Sequence, residues 1–285
     1  MKGILLAGGR ATRLYPVTRA VSKHLLPVYD KPMFYYPMCT LMQSGVRELL
    51  LITNPKDVEL FRQYLGDGSA LGMRIEYAVQ HFALGIADAL RIGRQFVLGG
   101  RMALALGDNV FFGESHIKNL KRAASDEDAV IFGIKTPNPF QYGVVEIGAD
   151  GRVVSIEEKP KAPRSDLAVP GLYFYPEDAC EIACELAPSP RGELEITDVN
   201  TEYLRRGRLK AVPLDAVWLD AGTFDGLLAA VTLASTEHAK GRSAGCIEAE
   251  ALAQGFISRE QFEKILSGYS GTVYGETLRS AGGLI

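Results

Sequence analysis

Residues suited to binding phosphate stand near the amino terminus, where an apolar run meets paired glycines. Residues 6–14 read LAGGRATRL. Backbone N–H groups freed at such a turn can bind phosphate oxygens, and the planar guanidinium of Arg13 can pair with them. The segment is neither a Walker A loop nor the GxGxxG of dinucleotide folds, and a plain structural turn explains its glycines equally well. Lys23, in the SKHLLP run at 22–27, adds a second cation and favours a phosphate site.

Two carboxylates follow apolar runs at distant points in the chain. Asp108 comes after LALG at 104–107, and Asp220 comes after VWL at 217–219. Mg²⁺ in proteins usually takes one or two carboxylates and fills its other positions with water and substrate phosphates. Each aspartate alone is more often a helix cap or a turn residue. Their shared placement at predicted strand ends makes them a candidate magnesium pair.

The elements that must position these side chains alternate along the first two thirds of the chain. Short apolar runs and segments of helical period follow one another, a pattern typical of a mostly parallel sheet wrapped by helices. The predicted strands are 2–7, 48–53, 74–79, 102–106 and 129–135, and the predicted helices are 33–44, 57–65, 86–97 and 117–124. Ligands of open α/β sheets bind at the carboxyl edge of the strands, so we expect the site there.

From residue 142 onward the pattern becomes rich in short β runs, as in an insertion or second lobe on the sheet. Apolar runs at 144–147, 153–157 and 172–175 predict strands, and Asp150-Gly151 predicts a hairpin turn between the first two. Helices are predicted at 176–186, 195–206 and 223–237, with short β runs at 209–212 and 216–219. Two further helices are predicted within 246–266, separated by Gly255-Phe256.

Composition excludes several classes of protein. The 285 residues are 47% hydrophobic with a net charge of −3, which gives a sizeable core and no electrostatic footprint for nucleic acid. The first apolar run is too short for a signal peptide or a membrane span. Four cysteines, at 39, 180, 184 and 246, form no CxxC pair, so we expect reduced thiols and no metal site among them. We predict a cytoplasmic protein with no membrane partner.

Eight ordered motifs carry a resemblance that covers essentially the whole chain and weakens after about residue 223. They are KGILLAGGRATRL (2–14), SKHLLPVYDKPM (22–33), LGDN (106–109), YGVVE (142–146), EEKP (157–160), GLYFY (171–175), RGELEITD (191–198) and WLD (218–220). In this order they resemble the bacterial glucose-1-phosphate thymidylyltransferases, sugar nucleotidyltransferases of deoxysugar biosynthesis of the dTDP-rhamnose type.

The resemblance implies an α/β Rossmann-like nucleotidyltransferase fold. We expect a mixed, mostly parallel sheet with helices on both faces, an inserted β-rich sugar-binding region and a helical C-terminal tail. The nucleotidyltransferase domain would span 1–240, with the nucleotide-binding part at about 1–140 and the sugar-binding part at about 141–222, and a helical segment would span 241–285. The implied reaction is Mg²⁺-dependent transfer of thymidylate from dTTP to α-D-glucose 1-phosphate, giving dTDP-glucose and pyrophosphate. The resemblance also implies a homotetramer, often with a feedback site.

Site roles are implied residue by residue. Asp108 and Asp220 would bind the magnesium ion, and Gln80 with Gly85 would meet the base. The implied catalytic residues are Arg13, Lys23 and Lys159; the implied nucleotide-binding residues are Gly8, Gly9, Ala11, Thr12, Arg13, His24, Gln80 and Gly85; and the implied sugar-phosphate residues are Asn109, Tyr142, Gly143, Glu158, Lys159, Val169 and Glu193. A sugar 1-phosphate is largely dianionic at neutral pH and needs no general base, so cations and metal must offset the repulsion between nucleophile and α-phosphate.

The departures from the family pattern cluster around the nucleotide. Arg10 and Ala11 replace a small residue and a glycine, His24 replaces a glutamine, residues 80–85 read QHFALG instead of a proline-rich run, and Ala221 replaces a threonine. If position 11 needs a positive φ, alanine there costs on the order of 1 kcal/mol. Three alternatives stay open: the active thymidylyltransferase, the same chemistry with UTP or an amino or deoxy hexose 1-phosphate, and a catalytically weak binding protein. Retention of both aspartates favours an active enzyme.

Overall fold

Strands and helices alternate through the first half of the chain, and a β-rich segment and a helical tail follow. The structure is a computed structural model, which describes residues 1–113 and 115–284. The strands are β1 (Lys2–Ala7), β2 (Pro27–Val28), β3 (Lys31–Pro32), β4 (Glu48–Thr53), β5 (Arg74–Val79), β6 (Met102–Leu106), β7 (Asn109–Phe112), β8 (Ala129–Lys135), β9 (Gly143–Ile147), β10 (Val153–Glu158), β11 (Leu167–Val169), β12 (Leu172–Tyr175), β13 (Leu209–Pro213) and β14 (Val217–Asp220).

Helices cover the sheet and form the C-terminal tail. They are α1 (Tyr35–Gln43), α2 (Val58–Leu65), α3 (Asp88–Val97), α4 (Ile117–Ala124), α5 (Ala179–Glu185), α6 (Ile196–Arg205), α7 (Phe224–Ala239), α8 (Ile247–Ala253), α9 (Arg259–Ser267) and α10 (Val273–Ala281). Within the described residues, no helix is both long and apolar enough to cross a membrane.

The large sheet has the strand order β10-β9-β11-β8-β12-β6-β1-β4-β5, with β13 pairing β8. The strands from β6 to β5 are parallel, as are β13 and β8, whereas β9 to β12 pair in antiparallel fashion. The predicted mixed sheet with helices is therefore confirmed. Its antiparallel part is larger than the sequence pattern indicates, because β9 and β10 form a hairpin and β11 and β12 both run antiparallel to β8. The short connections between these strands leave no room for the crossovers that parallel neighbours need.

The central strands are buried on both faces, which explains their continuous apolar runs. Along β1, Leu5 packs into the core beneath α1, α8 and α9, while Ile4 and Leu6 pack into the core beneath α3, α5 and α6. The helices at 247–281 close the first of these two cores, so the C-terminal tail is part of the hydrophobic interior. The division of the chain at residue 240 stays a prediction.

A small antiparallel ribbon of β7 and β14 joins two distant parts of the chain. Its register places Asp220 opposite Asn109, and the N–H of Ala221 donates to the carbonyl of Asp108 at 2.9 Å. The two aspartates are 112 positions apart in sequence, and this ribbon is the element that brings them side by side.

Candidate active site

The glycine-rich loop begins where β1 ends, and its backbone is held from behind. The N–H of Gly9 donates to Asn54 Oδ1 at 3.2 Å, and Asn54 Nδ2 donates back to the Gly9 carbonyl at 3.2 Å. The Thr18 hydroxyl donates to the carbonyl of Ala11 at 2.7 Å. Ala11 has φ +49°, so the left-handed backbone considered at this position is present with an alanine side chain.

The loop opens onto a cavity of about 720 Å³. Every residue to which the sequence assigns nucleotide binding lines this cavity, namely Gly8, Gly9, Ala11, Thr12, Arg13, His24, Gln80 and Gly85. Lys23 and Asp108 line it as well. The volume suits a nucleotide, and the lining combines loop amides with cations, which are the groups that bind a triphosphate.

A second cavity of about 370 Å³ adjoins the first. The residues assigned to the sugar phosphate all line it: Asn109, Tyr142, Gly143, Glu158, Lys159, Val169 and Glu193. The walls shared by the two cavities are formed by Arg13, Ile86, Leu106, Asp108, Glu158, Lys159, Arg191, Glu193 and Ile196. Two ligands held in the two cavities would therefore meet at this shared wall, to which Asp108 and Arg13 belong. These placements give positions, and the binding roles stay predictions.

The two aspartates converge at the junction of the cavities. A Cβ built on Gly222 would lie 2.8 Å from Asp220 Oδ1, 2.9 Å from Asp108 Oδ2 and 2.8 Å from Arg13 Nη2. Both carboxylates thus face one small cradle that only glycine leaves open. Lys23 Nζ forms an ion pair with Asp108 Oδ2 inside the protein.

The electrostatics of the pair are asymmetric. Burial opposes ionisation of Asp108, but the charge of Lys23, the neighbouring His24 and hydrogen bonds from Lys23 and Asn109 together outweigh it and hold the pKa of Asp108 well below its usual range. Burial and the neighbouring charge of Asp108 raise the pKa of Asp220. Burial, assisted by Lys23, lowers the pKa of His24 to about 3, so this ring is neutral behind the loop. A bound divalent cation would relieve the repulsion between the two carboxylates.

The residues present fit a magnesium ion. Within 1–113 and 115–284 no group of three or more His, Cys, Asp or Glu side chains gathers, so a protein-only cage is not formed there. Two convergent carboxylates beside a phosphate cavity are the donor set Mg²⁺ uses when substrate phosphates and water complete its coordination.

Comparison with known proteins places the chain in a family. A family model described as nucleotidyl transferase matches residues 2–237. Glucose-1-phosphate thymidylyltransferases from Mycobacterium tuberculosis (50% identity, covering 92% of each chain) and Neisseria meningitidis (47%, covering 98% of each) align with it almost end to end. This chain belongs to the glucose-1-phosphate thymidylyltransferase family of nucleotidyl transferases.

Solved structures agree with that membership. A glucose-1-phosphate thymidylyltransferase from Bacillus anthracis, in complex with sucrose, superimposes with a TM-score of 0.76 at 40% identity, covering 82% of this chain and 94% of that one. A UDP-glucose pyrophosphorylase bound to UDP-glucose superimposes with a TM-score of 0.74 at 24% identity, covering 83% of this chain and 98% of that one, and shares the fold.

Residues 80–87 contain the 80–85 stretch where the sequence departs from the family pattern, and they are joined by hydrogen bonds to Asp88 and Leu194. Gln80 Nε2 donates to Asp88 Oδ2 at 3.0 Å and to the Gly85 carbonyl at 3.3 Å. Two backbone hydrogen bonds, of 2.6 and 3.1 Å, join the segment to Leu194. Gly85 has φ +102°, and a Cβ there would lie 2.4 Å from the Leu194 carbonyl oxygen. Phe82 stays 73% exposed at the rim of the nucleotide cavity.

The side chain of Asn109, in the wall of the smaller cavity, forms three hydrogen bonds. Its Oδ1 accepts from the Gly171 N–H at 2.8 Å and from Trp218 Nε1 at 2.7 Å, while its Nδ2 donates to Asp108 Oδ1 at 3.1 Å. The Trp218 ring meets the Tyr142 ring edge-on, with centroids 4.8 Å apart. Asn109 therefore links the wall of the sugar cavity to the candidate metal carboxylate.

Sequence reasoning missed several residues that line the sugar cavity. Arg191 Nη2 lies 3.3 Å from Glu158 Oε1 and 2.7 Å from Glu195 Oε2, at the wall common to both cavities. The Thr197 hydroxyl donates to Glu158 Oε2 at 2.6 Å. Both residues belong to the RGELEITD motif, so the motif itself was the available signal. Asn200, one turn further along α6, lies outside every quoted motif.

Proposed function

We propose that this protein catalyses magnesium-dependent transfer of thymidylate from dTTP to α-D-glucose 1-phosphate, giving dTDP-glucose and pyrophosphate. The observation that carries the proposal is the junction of the two cavities at Asp108 and Arg13, with Asp220 facing the same cradle. The names of the relatives support the choice of substrates. The larger cavity suits the nucleotide, and the smaller one suits the hexose phosphate.

The reaction needs one bond to form and one to break. A phosphate oxygen of glucose 1-phosphate attacks the α-phosphorus of dTTP, and the bond from that phosphorus to the oxygen bridging to the β-phosphate breaks. Its electron pair leaves with pyrophosphate. The nucleophile is already dianionic at neutral pH, so no side chain has to remove a proton. The protein's task is to align two anions and lower their repulsion.

Positively charged side chains lie at the wall shared by the two cavities, where the two anionic substrates would meet. Arg13 Nη1 lies 3.9 Å from Asp220 Oδ2, and the Arg13 side chain is exposed to both cavities. Lys159 lines the same shared wall, 3.8 Å from Glu158. Arg13 pairs with the nucleotide phosphates and Lys159 with the sugar phosphate. Mg²⁺ held by Asp108 and Asp220 would neutralise charge on the α-phosphate and the leaving group.

A homotetramer is the proposed assembly, and α7 supports it. This sixteen-residue helix is apolar around most of its circumference, yet only Ala230 and Ala234 are buried in the single chain. Phe224 and Leu228 are 49% and 66% exposed, which suits a contact with a second copy. Light scattering after size exclusion should give a tetramer mass for the wild type and a smaller species for Leu228→Glu. A monomeric wild type would remove this part of the proposal.

The cytoplasmic location stays a prediction.

A substrate matrix tests the activity. Pyrophosphate release is measured with Mg²⁺ across dTTP, UTP, CTP, ATP and GTP, each with glucose 1-phosphate and glucosamine 1-phosphate. The proposal expects dTTP with glucose 1-phosphate to be the best pair. A UTP preference would keep the chemistry and change the base, for which a single methyl group supplies only about 1 kcal/mol. Silence in every pair, with sugar nucleotide still bound, would establish the binding protein instead.

A further inference from the structure

The wall of the sugar cavity contains a polar group that the protein leaves unpaired. Asn200 lies on α6 and lines the cavity, and only 1% of its surface is exposed. Its Nδ2 has no hydrogen-bond partner within residues 1–113 and 115–284. Buried amide N–H groups are nearly always paired because an unpaired donor costs free energy. This exception therefore calls for a partner from outside the chain.

The other end of the same amide is held firmly. Tyr175 is fully buried, and its hydroxyl donates to Asn200 Oδ1 at 2.6 Å. The Tyr175 ring is stacked between the rings of Tyr173 and Tyr203, at centroid distances of 5.9 and 5.8 Å. Because the phenol holds the oxygen, the nitrogen is the end of the amide that has no partner among the described residues.

The hydroxyl of Thr197, the neighbouring donor on this face of α6, already has a hydrogen-bond partner. Thr197 lies three residues before Asn200 and lines the same cavity, but its hydroxyl hydrogen is given to Glu158 Oε2. Glu158 in turn is an acceptor for hydroxyl groups. The wall thus offers a carboxylate that accepts and an amide that donates, which is the pairing that recognises hydroxyls of a sugar.

We propose that Asn200 Nδ2 donates a hydrogen bond to one ring hydroxyl of the hexose 1-phosphate and thereby helps to determine which hexoses are accepted. The inference rests on the proposed function and adds a residue to which that function gave no role. A substrate lacking that hydroxyl leaves the buried N–H unpaired and is rejected more strongly than lost contact area alone would explain. A trapped water is the competing partner for the same N–H.

The test compares hexose analogues across variants. kcat/KM is measured with glucose 1-phosphate and with its 2-, 3-, 4- and 6-deoxy analogues for the wild type, Asn200→Ala and Asn200→Leu. The leucine variant preserves side-chain volume if the alanine variant is unstable. Tyr203→Phe is the matched control, because it deletes a hydroxyl, bonded to Asp178 at 2.7 Å, in the same row of rings but outside the cavity.

The proposal expects a specific pattern. The wild type loses about tenfold in kcat/KM with one particular deoxy analogue, as for one hydrogen bond to a buried donor. Both Asn200 variants lose about tenfold with glucose 1-phosphate, through KM for the sugar and with KM for dTTP unchanged. They show no further loss with that one analogue. Tyr203→Phe keeps the wild-type pattern.

Other outcomes distinguish a failure of the Asn200 inference from a failure of the proposed function. If every deoxygenation costs the Asn200 variants as much as it costs the wild type, Asn200 does not touch the sugar and a water holds its N–H. That result overturns the inference and leaves the proposed function standing. A wild type that turns over no hexose 1-phosphate overturns both.

Discussion

At residue scale, the structure concentrates its chemistry on Asp108, a buried carboxylate that is kept ionised by Lys23 and borders both cavities. Asp108→Asn keeps the shape and removes the charge on which a metal depends. We expect turnover to fall at least a hundredfold, and we expect the melting temperature to fall as well, because the buried ammonium group of Lys23 loses its partner. Pyrophosphate release and thermal melting measure the two effects.

Asp178→Asn is the control for Asp108→Asn. Asp178 also accepts ion pairs and a phenol hydrogen bond, but it lies outside both cavities. Its replacement should lower stability and spare turnover. Near-normal activity of Asp108→Asn would remove this residue from the metal site.

Ala11 is a second residue where a single substitution is informative. Its left-handed backbone costs an alanine about 1–2 kcal/mol, whereas glycine adds about 0.4–1 kcal/mol of entropy to the unfolded chain. Ala11→Gly should therefore raise the free energy of unfolding by about 0.5–1 kcal/mol in urea titrations. Gly9 has φ +98° and open space where a Cβ would lie, so Gly9→Ala should lower the free energy of unfolding through backbone strain alone. Destabilisation by Ala11→Gly would show that other contacts fix this loop.

Residue types and spacing were enough to single out Asp108, Asp220, Arg13 and Lys23, which lie near one another in the structure. The resemblance, and not the spacing, drew attention to the backbone of position 11. Residue types and spacing were not enough to predict the ion pair of Lys23 with Asp108, because that contact depends on how the loop after β1 packs against the end of β6. The unpaired nitrogen of Asn200 was equally out of reach. Whether an amide is satisfied is a property of packing, and no local pattern records it.

At element scale, the sequence predicted the strands β1, β4, β5, β6 and β8 with the bounds that the structure has, because their apolar runs end abruptly in polar or glycine residues. The helix predicted at 117–124 has the bounds of α4, whereas the other helices predicted before residue 240 begin one to three residues early. In three of them the extra first residue is the N-cap, namely Asp57, Glu195 or Thr223. The three-residue β11 and the helix α10 were not predicted. β11 is too short to show alternation, and α10 lies in a polar, glycine-containing stretch that docks through a few side chains.

The docking of α8 yields a pH prediction. Glu248 is buried there and accepts hydrogen bonds from the hydroxyls of Tyr274, at 2.6 Å, and Tyr269, at 3.3 Å. Burial raises the pKa of Glu248 above that of the unfolded chain. The contribution of the neutral Glu248 carboxyl group to the free energy of unfolding is fully present below the ordinary glutamate pKa. It is lost as pH rises through the higher pKa that Glu248 has in the folded protein.

Glu248→Gln stays neutral at every pH and keeps one acceptor oxygen, while its NH2 group can donate to the oxygen of the other tyrosine. The melting temperature of this variant should match the wild type in acid and exceed it increasingly as pH rises towards 8. Differential scanning fluorimetry across pH 4–8 measures the difference. A gap that is constant with pH would show that Glu248 keeps its charge at no cost, and would contradict the burial argument.

At the scale of the whole molecule, the candidate site is assembled from residues far apart in the chain. Arg13 follows the first strand, Asp108 follows the sixth and Asp220 ends the last, so the junction of the cavities exists only when the complete sheet and its ribbon have formed. The motifs indicated which residues belong to the site, whereas the distances between them followed from sheet topology. Substitutions that loosen the two cores should therefore weaken activity and stability together.

The central claim is that a sugar phosphate held beside Asp108 attacks the α-phosphorus of dTTP. Glucose 1-phosphate labelled with ¹⁸O in its phosphate group tests it directly, with products resolved by mass spectrometry and ³¹P NMR in the presence of Mg²⁺. We expect one dTDP-glucose for each pyrophosphate, all of the label in the diphosphate bridge and the sugar-linked phosphate of dTDP-glucose, and none in pyrophosphate. Label in pyrophosphate, or cleavage of dTTP without dTDP-glucose, would contradict it.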